Sequence, residues 1–211
     1  MPRFDSPGWR IAGSVVSWAA FAFFFLGLFQ SAGVVMGLGG YCASGGPYVI
    51  ETECPEAVIV FAPLGVFGMF FAAGVAFAVA RGFGVSLIAW AWPILFVGLG
   101  IQFLASAASG ESVISNLSIG LLFVAMGVAP VVVFVRAKAI VPTLVGSRGL
   151  SGDRFAYDGT PRPSVGLTPT EGSEVAPSAR DWATSLGLWV VAAGGGAWLS
   201  LLAFAALSSA G

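Results

Sequence analysis

Five stretches of the chain, residues 11–36, 57–80, 83–104, 116–135 and 184–207, contain no Asp, Glu, Lys or Arg. A helix needs about 20 consecutive apolar residues to cross the hydrocarbon core of a bilayer, and each stretch reaches that length. An ionisable side chain at a helix centre costs about 2.5–3.5 kcal/mol on insertion scales, so uninterrupted runs are what membrane spans require. Strands of a membrane barrel would alternate apolar and polar residues over about 10 positions. The run Ala19-Ala20-Phe21-Ala22-Phe23-Phe24-Phe25-Leu26 does not alternate. The expected fold is therefore all-α, an integral membrane bundle of five transmembrane helices. Composition excludes the other classes. A chain that is 57% hydrophobic and 9% charged cannot clothe a water-facing surface, and one with 18 Phe and 7 Trp is not a disordered polymer.

The basic residues predict the orientation. All nine fall in three segments: Arg3 and Arg10 before the first stretch, Arg81 between the second and third, and Arg136, Lys138, Arg148, Arg154, Arg162 and Arg180 between the fourth and fifth. Those segments share one side of the membrane, and the positive-inside rule makes it the cytoplasm. The topology expected is N-in/C-out, in a bacterial plasma membrane. Residues 1–10 are then cytoplasmic, residues 11–136 form a four-helix unit, residues 137–183 form a cytoplasmic linker and residues 208–211 lie outside. Glu51, Glu53, Glu56 and Glu111 fall outside without a basic partner, while the other six acids share the cytoplasmic side with the nine cations. The mixed signs form no dense basic patch, which argues against nucleic acid as a partner. Ser31-Ala32-Gly33 offers small residues for signal cleavage, but the apolar run before it exceeds the about 7–15 residues of a signal h-region. The first helix is read as uncleaved.

The outside loop at residues 37–56 holds both cysteines, Cys42 and Cys54. On an oxidising face with no other thiol, they are expected to form a disulfide. Between them, Gly45-Gly46-Pro47 reads as a tight turn. A redox-active pair is disfavoured, since such pairs are closely spaced and lie near cations, whereas Glu51, Glu53 and Glu56 flank these. The three glutamates are a candidate site for a hard divalent cation, although no calcium-loop spacing supports it, and no metal or cofactor is expected.

Within the spans, Gln30, Gln102 and Asn116 all lie toward the outer leaflet in this topology. They can link helices by hydrogen bonds or line an outward-facing polar pocket. Pro63, Pro93 and Pro130 place a proline in each of spans two, three and four. Kinked helices occur in transporters, yet transporters usually carry an intramembrane ionisable group, and none is present here. Gly33-x-x-x-Gly37, the triple Gly194-Gly195-Gly196 and Gly196-x-x-x-Ser200 are small-residue patterns that let helices approach closely. Trp9 and Trp182 fit an interfacial belt; Trp90, Trp92 and Trp198 are expected to pack.

The linker carries Pro142, Pro161, Pro163, Pro169 and Pro177 among many Gly, Ser and Thr. It is expected to be disordered, most of all over residues 146–180, and to leave span five free to pack peripherally. Thr168 and Thr170, flanking Pro169, are candidate phosphorylation sites.

Gly40-Tyr41-Cys42-Ala43-Ser44-Gly45-Gly46-Pro47-Tyr48-Val49-Ile50, closed by Glu53-Cys54-Pro55, together with Trp92-Pro93-Ile94-Leu95-Phe96 and Gly100-Ile101-Gln102-Phe103-Leu104, resembles small multi-pass membrane proteins of actinobacteria. The resemblance covers residues 10–136. It implies a membrane class and a stapled outer loop, and that family has no established activity from which to carry over a mechanism.

No nucleophile–base pair, intramembrane ionisable group or cofactor ligand set is recognisable. The leading expectation is a non-enzymatic accessory or scaffold subunit of a membrane complex, in contact with the lipid bilayer and with a membrane-protein partner or a second copy of itself. The alternative is a small-molecule or lipid-binding protein, or a transporter, with a polar pocket at Gln30, Gln102 and Asn116.

Overall fold

The computed structural model describes residues 7–38, 42–43, 51–110, 113–150, 152–157 and 174–209. Its helices are α1 (Pro7–Gly37), α2 (Glu56–Ala80), α3 (Leu87–Ala108), α4 (Val113–Arg136), the short α5 (Ile140–Val145) and α6 (Ala179–Ser208). All but α5 are long and apolar enough to cross a membrane. The chain is thus an all-α integral membrane protein with five candidate spans. Two short strands, β1 (Arg154–Phe155) and β2 (Glu174–Val175), pair in parallel, Arg154 with Glu174 and Phe155 with Val175.

Local chemistry sets the helix ends. Glu56 places a negative charge in the first turn of α2, where it complements the helix dipole. That helix stops at Arg81, which adopts a left-handed conformation with φ 48° and donates its N–H to the Phe77 carbonyl. Gly82 and Gly84 follow with φ of 91° and 84°, values that an L side chain rarely adopts. The third helix therefore starts at Leu87 and not at residue 83, and Phe83 is buried in the turn instead. The last helix starts at Ala179, earlier than the expected residue 184. Ser178 and Asp181 form a capping box there, each side chain accepting from the other's backbone N–H.

The expected four-helix unit of residues 11–136 is not the grouping found. The chain divides into two compact units, one of Met1–Val85 with Leu144–Gly211 and one of Ser86–Thr143. Span five belongs to the first unit, where α1 packs against both α2 and α6.

In that first unit, a buried stripe on α6 comprising Ser185, Ala192, Gly196, Ser200 and Phe204 provides its inner face. Gly196 is where α6 and α1 come closest. A Cβ built there would lie 2.9 Å from the Ala19 carbonyl carbon and 2.9 Å from the Ala22 Cβ, so the seam exists only because this position has no side chain. Toward the other end of the same helices, Ala57, Val58, Phe61 and Phe204 form a core cluster, with Phe23, Val34 and Val35 of α1 packed on it. Trp198, expected to pack, is 61% exposed on the opposite face of α6.

The second unit is an α3–α4 pair joined along a glycine seam. A Cβ on Gly100 would come within 2.9 Å of the Gly120 carbonyl oxygen, and one on Gly120 within 3.1 Å of that of Gly100. Beside the seam, Phe96 and Phe103 each meet Phe123 edge-on with ring centroids 5.5 Å apart. Trp92 stacks near Phe96 and donates its indole N–H to the Met126 carbonyl at 3.2 Å. Pro93 and Pro130 lie inside their helices, as Pro63 does in α2.

Expected disorder over the linker fails for its described part. Ser147 and Arg148 donate backbone N–H groups to the Gly82 carbonyl at 2.7 and 2.9 Å, and Gly84 donates to the Val145 carbonyl at 3.1 Å. Phe155 donates to the Ser147 carbonyl at 3.1 Å and Ala156 to that of Val175 at 3.0 Å. The Ser185 hydroxyl, fully buried, donates to the Leu144 carbonyl at 2.7 Å. Loop backbone pairs with loop backbone here, so no side-chain periodicity announces the structure. Glycine turns at Gly82, Gly84, Gly146 and Gly152, all with positive φ, make these pairings reachable.

Candidate functional site

Two ends of the first unit carry the candidate chemistry. At one end, Cys42 and Cys54 form a disulfide with a Cα–Cα distance of 5.0 Å. Ala43 donates to the Thr52 carbonyl and Cys54 to the Ala43 carbonyl, both at 3.0 Å, so the two stapled ends also pair through their backbones. Cys42 packs against the core cluster of Ala57, Val58, Phe61 and Phe204. The staple thereby ties the α1–α2 connection onto the end of the helix bundle. The expected Gly45-Gly46-Pro47 turn lies outside the described residues.

Glu51, Glu53 and Glu56 are all exposed around this staple. Among the described residues, no three His, Cys, Asp or Glu side chains gather closely enough to hold a metal ion. Glu111, and the candidate phosphorylation sites Thr168 and Thr170, lie outside the described residues.

The three amides divide between the two units. Gln30 of α1 donates from Nε2 to the Leu26 carbonyl at 3.4 Å and to the Ser200 hydroxyl of α6 at 3.5 Å. It therefore bridges two helices at a position where Ser200 is fully buried. Gln102 and Asn116 belong to α3 and α4 of the second unit, where each is half-buried. Four other span hydroxyls are satisfied within their own helices: Ser17, Ser31, Ser118 and Ser208 each donate to the carbonyl one turn back.

The opposite end of the first unit is the basic one, and it is where sequence reading saw least. Arg10 and Arg81, Arg148, Arg154 and Arg180 belong to it, with Asp153, Glu174 and Asp181. Tyr157 donates its hydroxyl to the Gly146 carbonyl and meets Phe155 edge-on. Burial, reinforced by the Asp181 carboxylate, pushes the Tyr157 phenol up from 10.0 to about 12. Asp181 itself accepts the backbone N–H and hydroxyl of Ser178. Arg10 is buried, and its Nε has no hydrogen-bond partner; the same holds for the Ser14 hydroxyl one turn further along α1. Counting charges along the chain assigns Arg10 only to a side of the membrane. Its burial follows from the linker folding back, which the sequence does not signal.

Comparison with known protein families, with curated proteins and with solved structures finds no match to this chain.

Proposed function

We propose that this protein is a non-enzymatic subunit or scaffold of a complex in a bacterial plasma membrane, with its N-terminus and residues 137–183 cytoplasmic and the stapled loop outside. The observation that carries this reading is the outer face of α6. Gly187 and Gly194 fall seven residues apart, on one side of the helix, and a Cβ at either, or at Gly195, would meet nothing within 4 Å. Val190, Val191 and Trp198 flank that notch and are well exposed. Small residues framed by large apolar ones suit close docking of another membrane helix, since lipid gives no hydrophobic drive and packing does the work. Ser17, Ser31, Ser118 and Ser208 support a structural role as well, because they serve carbonyls of their own helices rather than a cavity.

The test is purification in mild detergent, followed by light scattering and mass identification of any co-purifying chain. The expected result is a stoichiometric complex, with a partner or with a second copy, that Gly194→Leu dissociates without unfolding the chain. A monodisperse single chain, unchanged by Gly194→Leu, refutes the proposal.

A further inference from the structure

Arg10 is one of several described residues with a buried side-chain atom that lacks a hydrogen-bond partner. It lies in the opening turns of a membrane-spanning helix, is only 9% exposed, and its Nε has no hydrogen-bond partner. A guanidinium remains charged at any accessible pH, and a buried charge without a counter-ion is strongly disfavoured. Ser14 lies one turn on along the same helix face, is 4% exposed, and its hydroxyl is also unpartnered. Facing them is the turn around Gly152, where a Cβ would lie 3.7 Å from Arg10 Nη1. Arg10 Nε and the Ser14 hydroxyl are therefore two buried donors without partners on one face of α1, and the Gly152 turn lies against the first of them.

We propose that Arg10 and Ser14, beneath the Gly152 turn, bind the phosphate of an anionic phospholipid headgroup. A tetrahedral oxyanion offers several acceptor oxygens, which matches a guanidinium fork and an adjacent hydroxyl. The nearby charges favour an anion. Among the described residues at this end, Arg81, Arg148, Arg154 and Arg180 stand against Asp153, Glu174 and Asp181. Asp181 is committed to capping α6 at Ser178. A lipid is the favoured source of the phosphate because the site opens a membrane span, and exposed Trp9 precedes Arg10 directly; an aromatic there marks the headgroup level. Basic pockets between membrane helices take headgroups in this way.

The experiment is native mass spectrometry of the full-length protein, delipidated in detergent and titrated with phosphatidylglycerol, phosphatidylcholine or inorganic phosphate. One phosphatidylglycerol should be retained in preference to phosphatidylcholine. Arg10→Gln should weaken it about tenfold or more, as expected for a lost charge-assisted pair. Ser14→Ala should weaken it severalfold, which keeps the test available should Arg10→Gln not fold, and Arg136→Gln, exposed and in the other unit, should leave it unchanged. Displacement by inorganic phosphate at equal concentration assigns the site to a free anion and overturns the lipid assignment. Equal retention by wild type, Arg10→Gln and Ser14→Ala, or no preference for phosphatidylglycerol, overturns the site.

Discussion

Replacing Gly196 with Ala adds one methyl group to a position where the two helices already touch. The new Cβ would lie 2.9 Å from both the Ala19 carbonyl carbon and the Ala22 Cβ. Carbon atoms pack best at about 3.5–4.0 Å, and the Ala19 carbonyl oxygen would lie closer still, so α6 must retreat from α1 by about 1 Å or more. A gap of that size forfeits roughly a quarter to a half of each dispersion contact along the lining. It also stretches the 3.5 Å Gln30–Ser200 contact one turn away. Overpacking of this kind costs about 1–3 kcal/mol, partly offset by the roughly 0.5–1 kcal/mol that Ala gains over Gly in a helix. Two residues away, Gly194 has nothing within 4 Å of its would-be Cβ, so Gly194→Ala should be neutral or stabilising by up to about 1 kcal/mol. Thermal unfolding of each variant in the same detergent measures the contrast. Equal stability for Gly196→Ala and Gly194→Ala would refute the packing of α6 on α1.

Three further outcomes are expected. The Cys42→Ser/Cys54→Ser double variant, or reduction of the wild type, should cost about 3 kcal/mol on the chain-entropy estimate for a short closed loop, read as a lower melting temperature. Ser185→Ala strands the Leu144 carbonyl in a buried site and should cost about 1–3 kcal/mol, with faster amide exchange over residues 144–148 as its local signature. Tyr157, raised from 10.0 to about 12 by burial and by Asp181, favours folding in its neutral form. That contribution is complete below pH 10 and is lost as pH rises toward 12. Tyrosinate absorbance, compared with Tyr157→Phe, should show one late-titrating phenol; titration of all phenols near 10 would contradict its burial.

The number and approximate extent of the spans were legible because hydrophobic length and charge exclusion are one-dimensional properties of a chain. The Cys42–Cys54 pairing was legible for a similar reason, since two thiols admit a single bridge. The start of α6 could also have been read, as Ser178 and Asp181 stand at capping-box spacing just before the apolar run. What escaped depends on tertiary geometry. Phe83 is apolar and adjoins a span, yet the positive-φ backbone at Arg81, Gly82 and Gly84 turns it into the basic end. The linker's pairing with Gly82 and Gly84 is made by backbone groups that every residue possesses. Nothing in the glycine triple at 194–196 states which glycine meets α1, and the structure gives that place to Gly196 alone.

The first and last helices are also neighbours, which orders events during synthesis. The α3–α4 hairpin joins segments close in sequence and can pair as soon as both have left the ribosome. Helix α1 can pair early with α2, but its Ala19, Ala22 and Gln30 face waits until Gly196 and Ser200 have been made. Contacts of such long sequence separation form late. Until α6 has been made, the nascent chain thus presents an uncovered face of α1 in the bilayer, and docking of α6 covers it.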